Sequence, residues 1–157
     1  MKIRLLLIGK TDEKWLEAAV EKYASRLRKY VGFTIDIIPD IKNTKALSTA
    51  ARKEEEGKLI LRNITRYEEV VLLDESGKEY DSKGFSVFIG KKMNSGIKTL
   101  TFVVGGPYGF SDEVYKAFPN KLSLSKMTFS HQMVRLVVTE QIYRAMTIMR
   151  GEPYHHE

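Results

Sequence analysis

Two hydrophobic periods take turns along the 157-residue chain. Ile3 to Ile8 is apolar apart from Arg4, the pattern of a strand buried on both faces. Thr11 then stands where a helix cap belongs, with Asp12 and Glu13 where the helix dipole favours acids. Leu16, Ala19, Val20, Tyr23, Leu27 and Tyr30 follow at helical spacing. Phe33, Ile35 and Ile37 alternate with polar residues until Pro39-Asp40, which predicts a second strand nearer a sheet edge. A polar stretch, 40–44, leads into a charged helix containing Arg52, Lys53, Glu54, Glu55 and Glu56, whose acid run reads as a solvated face. Val70 to Leu73 is a third strand ending at Asp74, and Ser82 caps a helix through Met93 that leaves by Asn94-Ser95-Gly96. Leu100 to Val104 is a fourth strand running into Gly105-Gly106-Pro107. Ser111-Asp112-Glu113 caps a short helix closed by Pro119, and Leu122 to Leu124 is a fifth strand. A helix of about five turns runs from Ser130 to Arg150, closed by Gly151 and Pro153. No repeat or linker interrupts the series, so residues 1–157 form a single α/β domain, a mainly parallel sheet with helices on both faces.

Composition narrows the chemistry. The chain has no cysteine, which excludes a disulfide scaffold, Cys-ligated zinc and an iron–sulfur cluster. The three histidines, His131, His155 and His156, do not form a metal site by spacing, so no metal is expected. A net charge of +6 biases the partner toward a polyanion. Lys22, Arg26 and Lys29 fall at i, i+4, i+7 and share one helix face; with Arg135 they are the candidate contacts to a polyanion, whether RNA, DNA or an acidic surface. The four apolar residues from Leu5 to Ile8 are too few for a signal peptide. The longest uncharged run, Thr99 to Ser111, is far short of the ~20 residues that span a bilayer. A cytoplasmic protein without a membrane partner is expected.

In parallel sheets of this kind the ligand sits beyond the carboxyl ends of the strands. Three loops stand out there: Leu73-Asp74-Glu75-Ser76-Gly77, Gly105-Gly106-Pro107-Tyr108-Gly109, and Leu124-Ser125-Lys126-Met127-Thr128-Phe129. Glycines directly after a strand let backbone approach a ligand, and apolar side chains set among small polar ones suit an adenine ring. The turn after the first strand carries Gly9 alone, so the dinucleotide-binding G-x-G-x-x-G is absent, as are the P-loop and the G-x-S-x-G of serine hydrolases.

The run Val103-Val104-Gly105-Gly106-Pro107-Tyr108-Gly109 and the run from Leu122-Ser123-Leu124-Ser125-Lys126-Met127-Thr128-Phe129-Ser130-His131 to Arg135 resemble the RlmH family. So do Glu140-Gln141-Ile142-Tyr143-Arg144-Ala145 and the end Arg150-Gly151-Glu152-Pro153-Tyr154-His155-His156-Glu157. These are bacterial 23S rRNA pseudouridine N3-methyltransferases of the SPOUT class. The likeness covers the whole chain and is most specific in its last third; family members often have proline where Ser130 stands. It implies a SPOUT-type fold with a C-terminal trefoil knot, S-adenosylmethionine as methyl donor, a homodimer, and 23S rRNA in the ribosome as substrate. By motif match, Leu73, Gly105, Leu124, Ser125, Lys126, Met127, Thr128 and Phe129 would line the cofactor site.

Methyl transfer to N3 calls for a base or a polarising cation, and the candidates are His131, Arg135, Arg144, Tyr154 and His155. Tyr154, His155 and Arg144 are the catalytic choice. The tail 154–157 leaves the long helix after a glycine and a proline, and is expected to act in the reaction without holding the fold together. Met133, Leu136, Val137 and Ile148 lie off the main apolar stripe of the last helix, so that helix is apolar on more than one side, which suits burial in a dimer. Two other readings remain open at this level: methylation of another RNA such as tRNA, and a non-catalytic ribosome-associated RNA-binding protein.

Overall fold

The structure, a computed structural model, describes residues 1–156; Glu157, part of the tail singled out above, lies outside the described residues. Five parallel strands form one sheet in the order β2-β1-β4-β3-β5. The elements in chain order are β1 (Lys2–Ile8), α1 (Lys14–Leu27), β2 (Gly32–Ile38), α2 (Thr49–Asn63), β3 (Glu68–Glu79), α3 (Ser82–Asn94), β4 (Thr99–Val104), α4 (Asp112–Ala117), β5 (Lys121–Ser123) and α5 (Met133–Met149). The apolar run of β1 serves two cores, as a strand buried on both faces must. Ile3, Leu5 and Leu7 point into the layer of α1, α3 and α5; Leu6 and Ile8 point into that of α2 and α4. β2 is an edge strand, as its alternation predicts, although Ile38 rather than Ile37 turns inward and Ile37 stays exposed.

At the amino ends of the strands Arg4 ties four of them together. It donates to Asp36 at 2.6 Å and to Glu68 at 3.0 Å, while buried Thr101 donates to Glu68 at 2.5 Å. Burial pushes the Glu68 carboxyl up, but these donors, with the Thr65 backbone, outweigh it and hold it below the usual carboxylate range.

Several boundaries differ from the sequence pattern for long-range reasons. α1 starts under Glu13 with no side-chain cap, because the Thr11 hydroxyl is taken by Arg135 at 3.2 Å. Asp81, not Ser82, caps α3 by accepting from Gly84 N at 2.6 Å; Ser82 donates to Gln141 on α5 instead. α5 begins at Met133, three residues past Ser130, whose hydroxyl accepts from Met133 N at 3.1 Å. β5 spans Lys121–Ser123, one residue earlier than its apolar run.

β3 continues to Glu79, well past Asp74, because it bends around β5: Leu122 pairs with Leu73 on one side of the bend and with Lys78 on the other. Gly77 sits at this crossing, where a Cβ would stand 2.6 Å from backbone atoms of Lys121 and Leu122. Glu56 departs furthest from expectation. It is 4% exposed, not part of a solvated face.

Candidate active site

The bend of β3 and the carboxyl ends of β4 and β5 open into a cavity of about 740 Å³, a volume within the range of small-molecule sites. Its walls come from all three loops marked in the sequence. Leu73 reaches it where β3 bends and Val104 where β4 ends, Gly105 to Phe110 form one side, and Leu124, Ser125, Met127, Thr128 and Phe129 form the other, with His131 and Val134 at the start of α5. Lys126 does not line it; the side chain is exposed beyond the wall, because Ser125 on one side and Met127 on the other turn toward the cavity. Thr128 donates to Glu75 at 2.8 Å and so links two of the loops. Met127 and Tyr108 stand exposed at the rim, 79% and 50%.

Each loop has its own internal support. Asp74 accepts from Ser76 N at 2.9 Å and from the hydroxyls of Ser76 and Tyr115. Burial pushes its carboxyl up, and these hydrogen bonds bring it below the usual range; burial, then the bond to Asp74, pushes the Tyr115 hydroxyl to about 12. Gly109 closes the glycine loop with φ +81°, donating to Gly106 O at 3.2 Å. Gly105 and Gly106 are glycine for another reason. A Cβ at Gly105 would stand 3.1 Å from the Phe110 ring, and one at Gly106 would collide with the Glu56 carboxylate. This tightness is against the protein behind the loop, while Gly105 and Gly106 also line the cavity on its other side.

Arg135 is a further correction. The sequence pattern offers it to RNA, yet it is fully buried. Its guanidinium donates to Ile8 O at 2.7 Å, Gly9 O at 2.9 Å, His131 O at 3.1 Å and Thr11 Oγ1 at 3.2 Å. It locks the start of α5 onto the end of β1 and touches no solvent. Burial, then the charge of Arg135, holds the neighbouring His131 imidazole below its ordinary value. Lys22 and Arg26 are exposed on α1, with Arg26 over the rings of Tyr23 and Tyr143, whereas Lys29 is exposed in the turn just past the helix end at Leu27 and not on the helix.

The tail folds back along α5. After Gly151 (φ +66°), Glu152 N donates to Thr147 O at 3.0 Å and Glu152 accepts from the Tyr30 hydroxyl. That bond, more than burial, pushes Tyr30 to about 12. Tyr154 packs edge-on against Tyr143 with ring centroids 4.7 Å apart and donates to Glu140 at 2.8 Å. Burial first, then this bond, raises its hydroxyl well above the usual tyrosine value.

Arg144 joins the group: it donates to Glu140 at 2.6 and 3.1 Å, lies over the Tyr154 ring, and stands 3.2 Å from His155 Nδ1. The three catalytic candidates therefore meet, around a fourth residue, Glu140, whose sequence signal was its i, i+4 spacing from Arg144. The expectation that the tail is independent of the fold does not survive: Tyr154 is half-buried against the main core. Within one chain none of the three lines the cavity.

A family model described as predicted SPOUT methyltransferase matches residues 1–155. The chain belongs to the SPOUT methyltransferase family. Among relatives of this SPOUT chain, the protein named Ribosomal RNA large subunit methyltransferase H from Christiangramia forsetii is 58% identical over 156 residues, covering 99% of each chain. The protein of the same name from Flavobacterium johnsoniae is 56% identical over the full length of both. Among solved structures, a probable methylase family protein from Haemophilus influenzae shares the fold, with a TM-score of 0.53 at 13% identity, over 95% of this chain and 66% of that one. Among the described residues of this methyltransferase there is no group of three or more side chains able to hold a metal ion, and no helix is long and apolar enough to cross a membrane.

Proposed function

We propose that the protein transfers a methyl group from S-adenosylmethionine to N3 of a pseudouridine in 23S rRNA of assembled ribosomes, acting as a homodimer in the cytoplasm. The observation that carries this reading is the cavity at the strand ends of a SPOUT chain, apolar-walled and bounded by the same three loops that the sequence marks. Leu73, Gly105, Leu124, Ser125, Met127, Thr128 and Phe129 hold the cofactor there, and Met127 and Phe129 close over it from the rim. The bound cofactor supplies a methyl on a sulfonium, already activated toward a nucleophile. The protein's task is to hold the attacking nitrogen in line, which supplies ~7–11 kcal/mol, and to support the charge left when N3 gives its proton to solvent water before the methyl bonds to it and the sulfonium leaves as a neutral thioether.

Arg144 and His155 suit that second task. A guanidinium has no acceptor, so His155 Nδ1 accepts from Arg144 and Nε2 carries the proton of the neutral ring. The ring then presents a donor to the pyrimidine oxygens on which negative charge develops. Tyr154 stays protonated, given to Glu140, and offers a flat face for a base. Lys22, Arg26 and Lys29 contact phosphates on the side where α1 packs beside the tail.

The outward stripe of α5, with Met133, Leu136 and Val137 half-exposed ahead of Glu140 and Arg144, supports an isologous dimer. Antiparallel contact of two such stripes carries the tail of one chain toward the cavity of the other. The backbone crossing at Gly77 and Leu122 supports the trefoil knot. Labelled methyl transfer to ribosomes lacking the modification, to free 23S rRNA and to tRNA tests the reading. Label on ribosomes alone is expected; label on tRNA, or on none, overturns it.

A further inference from the structure

α2 brings two charged residues against the glycine loop, and the methyl-transfer chemistry has not used either of them. Glu56 lies directly behind Gly106: a Cβ on that glycine would stand 2.8 Å from the carboxylate Oε1 and 2.9 Å from Cδ. Gly57 is what lets α2 come so close. A Cβ there would overlap Ser111 Oγ and stand 3.2 Å from Val114 Cγ2, on α4 and its cap. Arg52, one turn before Glu56, pairs with it at 3.4 Å from Nε to Oε1, and its guanidinium lies 5.4 Å from the centre of the Tyr108 ring. Two successive turns of α2 thus touch two residues of one loop, Gly106 from behind and Tyr108 from outside.

An acid this buried is costly unless it is paired, and its pairing is poor: Arg52 Nε makes no hydrogen bond of good geometry, the one buried side-chain nitrogen or oxygen among the described residues in that position. Burial pushes the Glu56 carboxyl up, with Arg52 opposing. A leucine would fill the same space at less cost. The acid is placed where its two oxygens bear on the loop and on Arg52 at once.

We propose that Glu56, held by Arg52, is a positioning residue for the cofactor: it props the Gly105–Gly106 backbone at the height from which the loop walls the cavity. The inference rests on the reading of that cavity as the S-adenosylmethionine site. Calorimetric binding of S-adenosylmethionine, with steady-state kinetics on ribosomes, tests it in the full-length chain. Glu56→Ala should weaken S-adenosylmethionine binding about tenfold and raise its KM to match, with kcat at saturating donor and KM for ribosomes within threefold of the parent. Glu56→Gln, which keeps the shape and the acceptor, should restore binding to within threefold.

A second pair reads the same contact without removing the acid. Gly106→Ala drives a methyl into the carboxylate and should weaken binding tenfold, and adding Glu56→Asp, one methylene shorter, should recover most of it. A folded Glu56→Ala with unchanged affinity, a loss spread equally over donor and ribosome, or no recovery in the paired variant would overturn the proposal while the parent still binds the donor. A parent that binds no S-adenosylmethionine would overturn the reading of the cavity itself, and this inference with it.

Discussion

Arg135 shows how one residue decides between a surface and a core role. A base in a cationic chain, near the cavity loops, suits phosphate by type; its four hydrogen bonds and complete burial suit a lock between α5 and the end of β1. Arg135→Met keeps the length and leaves the carbonyls of Ile8 and Gly9 without this donor, at ~1–3 kcal/mol each. A net loss of about 3 kcal/mol, after the gain from not burying a charge, should lower Tm by about 6–12 °C at this chain length. Its effect on RNA should be of a different kind from that of the α1 cations. Lys22→Ala or Arg26→Ala should leave Tm within about 2 °C and flatten the dependence of ribosome binding on salt, whereas Arg135→Met should leave that slope unchanged. A flattened slope in Arg135→Met, measured on the folded fraction, would return it to the RNA surface. The burial was not legible in the sequence, because its partners Ile8, Gly9 and Thr11 are more than 120 residues away.

At the scale of elements, the tail is held to α5 and α1 by Tyr154 and Glu152, so removing it has a structural and a chemical consequence that separate. Deleting the chain from Tyr154 loses an edge-on aromatic pair, ~1 kcal/mol, and a hydrogen bond to Glu140, ~1 kcal/mol. Thermal denaturation should therefore show Tm lower by about 4–8 °C. His155→Ala leaves Tyr154 in place and should change Tm by less than about 2 °C, while methylation of ribosomes falls about 10²-fold. A His155→Ala enzyme at full rate would make the tail purely structural. What could be read of the elements beforehand follows the range of the forces that set them. β1 and β4 are visible because burial on both faces leaves an apolar run, and α4 is visible because Ser111 caps it locally, accepting from Val114 N at 3.3 Å. The extent of β3 is set by β5 crossing at Gly77, the start of α1 by Arg135 taking Thr11, and the burial of Glu56 by the loop on top of it. None of these leaves a periodic trace. The three loops of the cavity were legible because strand ends and glycines announce them; the cluster of Glu140 with Arg144, Tyr154 and His155 was half legible, since only its helical pair has a fixed spacing.

At the scale of the whole molecule, cavity and tail pose one geometrical question. His155 stands beside Arg144, ten residues and about 15 Å along the α5 axis past Val134 at the cavity, and the tail's contacts hold it there. The outward stripe running from the cavity end of α5 toward Arg144 carries Met133, Leu136 and Val137, apolar and half-exposed in the single chain. If two copies bury this stripe against each other about a two-fold axis, each cavity is completed by the other chain's tail. Light scattering should then give twice the 18.0 kDa chain mass, and Val137→Glu should halve that mass and abolish methylation together. Mixing separates action across the dimer from action within one chain. A chain deleted from Tyr154 keeps its cavity and has no tail; a Leu124→Asp chain keeps its tail and has a spoiled cavity. Each alone should be inactive. Refolded together in equal amounts, half the dimers are mixed and each holds one intact pairing of cavity and tail, so activity should return to about a quarter of the parent. A tail that served its own chain's cavity would leave the mixture as inactive as its parts, since no chain in it carries both.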